Sequence, residues 1–482
     1  LTNWKDKHNH IEVKPVWSPW PKPVLPFFIF VRPPEISPLP DAYIILVTIL
    51  KYFGTDGIRG KAYDFLNADL AYKVGLGLQA LDCKEAIIGR DTRESGKFLE
   101  ENLEKGAVAS GINVYRAGVV STPELSYLSK RKGIFGIMIT GSHNPHHDNG
   151  IKIFKAGKKL SEAEEAVIEA VIEGTKAPEE GVPFGKAEDA EDCFSVYCEI
   201  FEEIIVPTDL RIGLDLANGA TCSTAEKIFK KITPNVFVIG NNPDGFNINR
   251  DCGSMHPETI VEFVKEKGLD LGFAFDGDGD RILAVDSAGR VFNGDHLIYI
   301  FANYLKEKGM LAKEGVVLTK MSNLGTIKAL KNLGIKVVLT DVGDKFVFEA
   351  LEKHGFVLGG ERSGHIINLN LLETGDGVLN AVYLTKILAE KQERMEELVK
   401  EVEMYPEKTC NLRDVKKEVL RNEGFQKRLK EMQAELGEDG KIIVRPSGTE
   451  PVIRISVSAA SEERVQTYLD EIVGLLRSIE EA

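Results

Sequence analysis

The sequence predicts an α/β chain built from three similar units and a smaller terminal one, and three observations carry this. From residue 51 onward, apolar runs of strand length alternate with amphipathic stretches, the rhythm of βα units on mixed or parallel sheets. The strand, turn, helix order restarts at 210–220 and again at 316–343. The segment 440–459 is a last β-rich stretch that runs into an amphipathic helix. A chain of 482 residues with 43% hydrophobic content has material for three or four cores of ordinary domain size.

Taken in order, "EAIIGRD" (85–91) reads as a buried strand, followed by a helix from Ser95 to Ser110 and a second strand at "INVYRAG". "LSEAEEAVIEAVIEG" carries a capping box at Ser161 and Glu164, apolar residues at helical spacing and Gly174 as a stop, so it is a surface helix. "LRIGLDLANGA" (210–220) and "VVLTKMSNLGTIKALKNLGIKVVLTDVG" (316–343) repeat the unit, and "GKIIVRPSGTEPVIRISVSA" (440–459) begins the last one. The charged stretch from Glu390 to Lys408 reads as a helix leading into that final unit.

Residues 1–50 are of different composition. They hold nine of the chain's 20 prolines and all three tryptophans (Trp4, Trp17, Trp20), but none of its 45 glycines. Their apolar pieces "VLPFFIFV" and "YIILVTIL" are too short to span a bilayer and are separated by prolines. No methionine precedes Met138, and the expectation is a Pro/Trp-rich extension outside the native fold, with the native chain starting at Leu50.

A net charge of -14 and a pI near 5.3 exclude broad binding to nucleic acid or an anionic membrane, though a local basic pocket for a small anion is allowed. The six cysteines are sparse and none has C-x-x-C spacing, which fits reduced thiols in the cytoplasm.

The strongest chemical motif is "DLGFAFDGDGDRILAVD" (270–286). Asp276, Asp278 and Asp280 stand at i, i+2 and i+4 between two strands, with glycines freeing the backbone, so all three can face one hard cation such as Mg2+ or Ca2+. Gathering three like charges after an apolar strand is unfavourable without a counter-ion. An EF-hand is excluded by Arg281 and Ser287 where its glycine and glutamate belong. In "VRPSGTEPVIR" (444–454), Arg445 and Arg454 can fork onto phosphate oxygens while Ser447, Thr449 and the amides of a tight turn at Gly448 add donors. "FGTDGIRG" (53–60) and "GGERSGH" (359–365) are charged glycine-rich turns, weak as signals when taken singly.

"TGSHNPHHDNGIKIF" (140–154) leaves its own question open. Ser142 lies outside a G-x-S-x-G elbow, which argues against hydrolase chemistry. His143, His146 and His147 on a loop are weaker metal candidates than the aspartate turn and read as solvated turn residues. "GLGLQA" fails the dinucleotide fingerprint, and there is no Walker A sequence.

Together and in order, "KYFGTDGIRG", "SHNPHHDNGIKIF", "AFDGDGDR", "KMSNLG", "VGDKFV", "GERSGH", "TGDG" and "RPSGTEPVIR" resemble the α-D-phosphohexomutase superfamily, and within it the bacterial phosphoglucosamine mutases. The resemblance runs from about Lys51 to the C-terminus. It implies three mixed-sheet α/β domains and a smaller C-terminal α+β domain around a central cleft, with limits at 51–203, 204–303, 304–404 and 405–482. It implies that Ser142 is a phosphoserine that donates and recovers a phosphoryl group, supported by His143. One Mg2+ per site would be held by Asp276, Asp278, Asp280 and that phosphate.

The resemblance also implies that Lys152, His365, Arg59 and Arg281 line the transfer site. Glu361 and Ser363 would grip sugar hydroxyls, and Asp344 and Lys345 of "VGDKFV" would contact substrate. Arg445, Ser447, Gly448, Thr449 and Arg454 would hold the non-reacting phosphate. Cations would neutralise charge on the transferring group, and either His365 or Lys152 would accept the hydroxyl proton if cationic neighbours lower its pKa. Two residues depart from the phosphoglucosamine pattern: Gly141, where alanine is commoner, and Arg362, where glutamine is usual.

The expected activity is interconversion of glucosamine 6-phosphate and glucosamine 1-phosphate through a 1,6-bisphosphate, for amino-sugar nucleotide synthesis in the cytoplasm. The alternatives are a phosphomannomutase or phosphoglucomutase, a non-catalytic sugar-phosphate binder, and a phosphatase with an aspartate nucleophile. The expected partners are hexosamine phosphates, with no nucleic acid or membrane, and a homodimer is compatible with the resemblance.

Overall fold

Three of the four sheets share one plan. A computed structural model describes residues 50–179, 181–413, 415–446 and 452–481. Residues 1–49 of the N-terminal extension and Ser447, Gly448 and Thr449 therefore lie outside the described residues. In the first sheet, Asn113–Val119, Glu85–Arg90 and Phe135–Ile139 lie side by side and parallel, with Asp148–Lys155 antiparallel at the next position. Val236–Ile239, Ile212–Asp215, Leu271–Phe275 and antiparallel Ile282–Asp286 repeat this order. Lys336–Thr340, Gly315–Thr319, Leu358–Gly360 and antiparallel Ile366–Asn368 repeat it again.

In each unit a hairpin thus joins the third strand of this order to the fourth. The three hairpin loops are 140–147, 276–281 and 361–365. They contain Ser142, the aspartate triad and Glu361.

The strands follow from composition. Phe135–Ile139, Leu271–Phe275 and Gly315–Thr319 are buried at every position, which is why they read as continuous apolar runs and not as alternating ones. The first unit extends through Gly57–Lys61, antiparallel to Asp148–Lys155 with Arg59 opposite Gly150, to Phe53–Gly54. The expected capping box is present, with Ser161 accepting from the Glu164 amide and the helix spanning Glu162–Ile172. One face of that helix is buried, Ile168 completely, and the other carries Glu162 and Ala163 to solvent, as expected of an amphipathic surface helix.

The final unit is a three-stranded antiparallel sheet of Glu407–Leu412, Ile453–Ala459 and Gly440–Pro446, backed by Glu423–Leu436 and Glu462–Glu481. One expectation is corrected here. The stretch 390–408 is not one helix, because Gly377–Lys391 stops at Gln392 with φ 54°, a short turn of helix follows at Met395–Leu398, and Glu407 already belongs to a strand.

Candidate active site

The loop after Phe135–Ile139 turns back on itself at Ser142, whose φ of 50° is unusual for a residue with a β-carbon. Its amide donates to Thr140 Oγ1 at 2.8 Å, and Thr140 donates to Asp91 Oδ2 at 2.7 Å. Its side chain, only 1% exposed, donates from Oγ to Asp276 Oδ2 at 2.8 Å. Gly277 permits this approach: a β-carbon there would meet the Ser142 carbonyl oxygen at 2.7 Å. Two hairpin loops far apart in sequence are thereby docked against each other.

The three aspartates are brought together as expected. Each offers an oxygen within 4.8 Å of the others, and all are buried. Asp278 Oδ2 accepts from Thr122 Oγ1 at 2.6 Å and Lys152 Nζ at 2.9 Å, and Asp280 Oδ2 accepts from Lys152 Nζ at 3.2 Å. Asp278 Oδ1 and Asp280 Oδ1 are buried without a hydrogen-bond partner. Burial and the charges of Asp280 and Asp278 push the Asp276 carboxyl well above its usual range. Unfilled oxygen acceptors and mutual repulsion fit the binding of a hard divalent cation.

Lys152, on the strand Asp148–Lys155 and opposite Met138, is 2% exposed and also reaches Asp56 at 3.1 Å. Its surroundings correct one expectation. The groups that touch it are carboxylates and not cations, and although burial lowers its proton affinity, Asp278, Asp56 and Asp280 outweigh that and hold it well above the usual lysine value. His365 behaves similarly: burial lowers it, but Asp280 raises it further, to about 8. His365 Nδ1 lies 3.6 Å from Asp280, and Nε2 accepts from the Gly375 amide at 3.2 Å. That bond needs a free lone pair on Nε2, so a second proton on the ring displaces Gly375.

Arg59 pairs with Asp56, and Arg281 Nε lies 3.8 Å from Asp280 Oδ1. His143 Nδ1 is 3.4 Å from Ser142 Oγ; burial, with Arg281 and Arg59, lowers its pKa to about 3, so the ring is neutral. His146 and His147 take a different course, the first packing edge-on against Phe246 and the second half-exposed.

Glu361 accepts from the Gly343 amide at 3.0 Å and from Ser363 Oγ at 3.4 Å, which ties the loop 361–365 to "VGDKFV". Asp344 pairs with Lys159, and Lys345 lies 3.4 Å from Glu165. Arg445 and Arg454 stand directly opposite on adjacent antiparallel strands, so both side chains leave the same face.

Sequence reasoning missed five residues here. Asp91, Arg93 and Asn249 brace the Ser142 loop, while Asp56 and Lys159 extend the ion network. The acid and arginine alternation of "GRDTR" is the one signal that could have pointed to the first two.

Comparison with known proteins decides the family. Residues 50–179, 195–289 and 293–405 match the α/β/α domains I, II and III of phosphoglucomutase/phosphomannomutase, and 407–475 match its C-terminal domain. The chain belongs to the phosphoglucomutase/phosphomannomutase family. Within it, the chain is 44% identical over 441 residues to a phosphoglucosamine mutase of Geobacillus kaustophilus, covering 89% of this chain and 98% of that one. It is 42% identical over 445 residues to that of Streptococcus sanguinis, with the same coverage. A phosphoglucomutase/phosphomannomutase family structure from Burkholderia thailandensis superposes with a TM-score of 0.74 at 22% identity, covering 89% of this chain and 98% of that one. The Aspergillus fumigatus N-acetylphosphoglucosamine mutase, solved with GlcNAc-6P and magnesium, superposes at 0.63 and 18% identity, covering 90% and 96%. These structural likenesses show the family fold.

Proposed function

We propose that the chain is a phosphoglucosamine mutase, interconverting glucosamine 6-phosphate and glucosamine 1-phosphate through a phosphorylated Ser142 and a 1,6-bisphosphate. The observation that carries this reading is the bond from Ser142 Oγ to Asp276 Oδ2, which places a phosphorylatable hydroxyl against a buried triad suited to a cation. The amino-sugar preference is supported by relatives at 42–44% identity that cover 98% of their own length.

In this reading, Asp276, Asp278, Asp280 and the Ser142 phosphate hold Mg2+, which when bound supplies positive charge to the phosphoryl oxygens. Arg59, Arg281 and Lys152 add fixed cations around the same point, the kind of electrostatic positioning that dominates phosphoryl transfer. The Ser142 Oγ–phosphorus bond breaks as the sugar hydroxyl bonds to phosphorus, and the hydroxyl proton passes to His365 in its neutral form, since Lys152 is held as an ammonium by its three carboxylates. Glu361 and Ser363 orient the sugar, Asp344 and Lys345 border it, and Arg445 and Arg454, with Ser447, Gly448 and Thr449, hold the other phosphate. After the bisphosphate turns round, Ser142 recovers a phosphoryl group from the opposite end, so one site serves both directions.

The same reading places the enzyme in the cytoplasm. Its six cysteines are free, which suits a reducing compartment. Assays on glucosamine, glucose and mannose 6-phosphates side by side test the substrate assignment. The highest kcat/KM is expected for glucosamine 6-phosphate, and an equal or higher value for mannose 6-phosphate overturns it.

A further inference from the structure

The carbonyl oxygen of Ser142 is held as firmly as its hydroxyl. It accepts from Arg93 Nη2 at 2.8 Å and from Asn249 Nδ2 at 2.8 Å, so both of its lone pairs are used. The two donors come from different units, Arg93 from the turn after Glu85–Arg90 and Asn249 from the unit that carries the aspartate triad.

Both donors are themselves fixed. Arg93 is 1% exposed, binds Asp91 through Nε at 2.9 Å, and also donates to the carbonyls of Asn144, at 2.8 Å, and Pro145. Asn249 also donates to the Asn144 carbonyl at 3.1 Å, and two carbonyl partners leave only one sensible orientation of its amide. Its backbone amide is anchored on the Ala217 carbonyl at 2.9 Å, and a β-carbon at Gly277 would come within 2.8 Å of Nδ2, so the triad loop packs directly on the clamp.

We propose that Arg93 and Asn249 are positioning residues that lock Ser142 at one place through its carbonyl, an inference that rests on the phosphoserine reading. The chemistry explains the need. Ser142 must give a phosphoryl group to one end of the sugar and take one from the other end after the sugar has turned, so the carrier is the fixed reference for both transfers. A residue with φ 50° relaxes toward the ordinary helical or extended regions unless its neighbours prevent it. Asp276 and Asn249 grip the hydroxyl and the carbonyl from the triad-bearing unit, and Arg93 grips the carbonyl from its own.

The test uses Asn249→Gly, which removes the amide but tolerates the native φ of 57°, beside Asn249→Asp, which keeps the shape but lacks the donors. Arg93→Lys is the companion, since a lysine cannot fork between three carbonyls. The full chain is first phosphorylated with a radiolabelled hexose 1,6-bisphosphate, and label on Ser142 is located by peptide mass. Chase with glucosamine 6-phosphate then gives the single-turnover transfer rate, and steady-state assays give kcat and KM. Folded variants, judged by thermal unfolding, are expected to lose about 10- to 100-fold in transfer rate and kcat, the scale of a misplacement near 1 Å, with KM within about threefold.

A folded Asn249→Gly that transfers label within twofold of wild type overturns the clamp while leaving the phosphoserine reading intact. Wild-type protein that takes no label on Ser142 overturns both. A loss confined to KM also contradicts the proposal, because the clamp touches the carrier and not the sugar.

Discussion

Lys152 Nζ stands 2.9 Å from Asp278 Oδ2, an ion pair that joins the last strand of the first sheet's hairpin to the triad turn of the second. With Asp56 and Asp280 also within 3.2 Å, one buried ammonium contacts three carboxylates. Removing one partner of such a cluster leaves buried charge uncompensated and costs on the order of 3–5 kcal/mol. Lys152→Met should therefore lower the unfolding temperature most in chelator, with Mg2+ restoring part of the loss and activity remaining at least about 100-fold down. Equal destabilisation with and without Mg2+ would show that Lys152 and the cation do not share these carboxylates.

Asp276→Asn should separate stability from function. Asparagine keeps an acceptor for the Arg281 amide, bound at 3.2 Å, and a hydrogen-bonding partner for Ser142, while removing one of three repelling charges. In metal-free buffer the variant should unfold no earlier than wild type, and the rise in unfolding temperature on adding Mg2+ should shrink or vanish. Calorimetric melts with and without Mg2+ check both, and a full Mg2+ response in the variant would remove Asp276 from the cation site.

Glu124 gives a pH dependence whose sign can be worked out. Burial raises this carboxyl from 4.5 to about 8, against a backbone bond from Ser121 that lowers it. The folded chain keeps a proton that the unfolded chain sheds above its ordinary value, so stability is lost as pH rises between roughly 4.5 and 8, by up to about 1.4 kcal/mol per unit. Glutamine can keep the acceptor for the Ser121 amide without the charge. Glu124→Gln should match wild type at pH 4 and be more stable at pH 8, as read by denaturant titration. A parallel pH profile for the two proteins would contradict this.

Arg362 sits between Glu361 and Ser363, yet its guanidinium turns to Glu407 of the final sheet at 2.5 Å. Glu407 is also bound by Ser456 Oγ at 3.0 Å, so the pair links the loop 361–365 to the strands that carry the two arginines. Arg362→Glu and Glu407→Arg should each raise KM, and the double exchange should recover roughly 1 kcal/mol of the loss in a double-mutant cycle. The glucosamine to glucose preference should stay unchanged in Arg362→Gln, because the charge is spent on Glu407; a reversed preference would place Arg362 on the substrate.

Arg445 and Arg454 are cross-strand neighbours on one face of the sheet, where two guanidinium groups can fork onto one phosphate. Inorganic phosphate should raise the unfolding temperature of wild type and do so less for Arg445→Ala. In the same variant KM should rise about 10-fold or more with a smaller change in kcat, the mark of binding shared by ground and transition states. An unaltered KM would remove this pair from substrate binding.

Local rules made some of this legible in the sequence and left the rest hidden. The triad could be read because i, i+2, i+4 spacing and glycines bring Asp276, Asp278 and Asp280 together within one turn. The three units could be read because apolar runs of strand length recur in each, as at 85–90, 271–275 and 315–319. Ser142 carried no chemical signal of its own, and only the resemblance singled it out. Arg93 and Asn249 were not legible, since each acts through contacts 49 and 107 residues away that only the folded chain creates. The helix expected over 390–408 failed because charge content marks solvent exposure, not helix continuity; Gln392 in the left-handed region breaks it.

The central claim is that Ser142 carries the group that moves. Protein labelled with radioactive phosphate on Ser142 and mixed with excess glucosamine 6-phosphate should lose the label in one turnover, with the label recovered in the sugar phosphate pool, and Ser142→Ala should neither take label nor catalyse the interconversion. Interconversion at wild-type rate by Ser142→Ala would contradict the account.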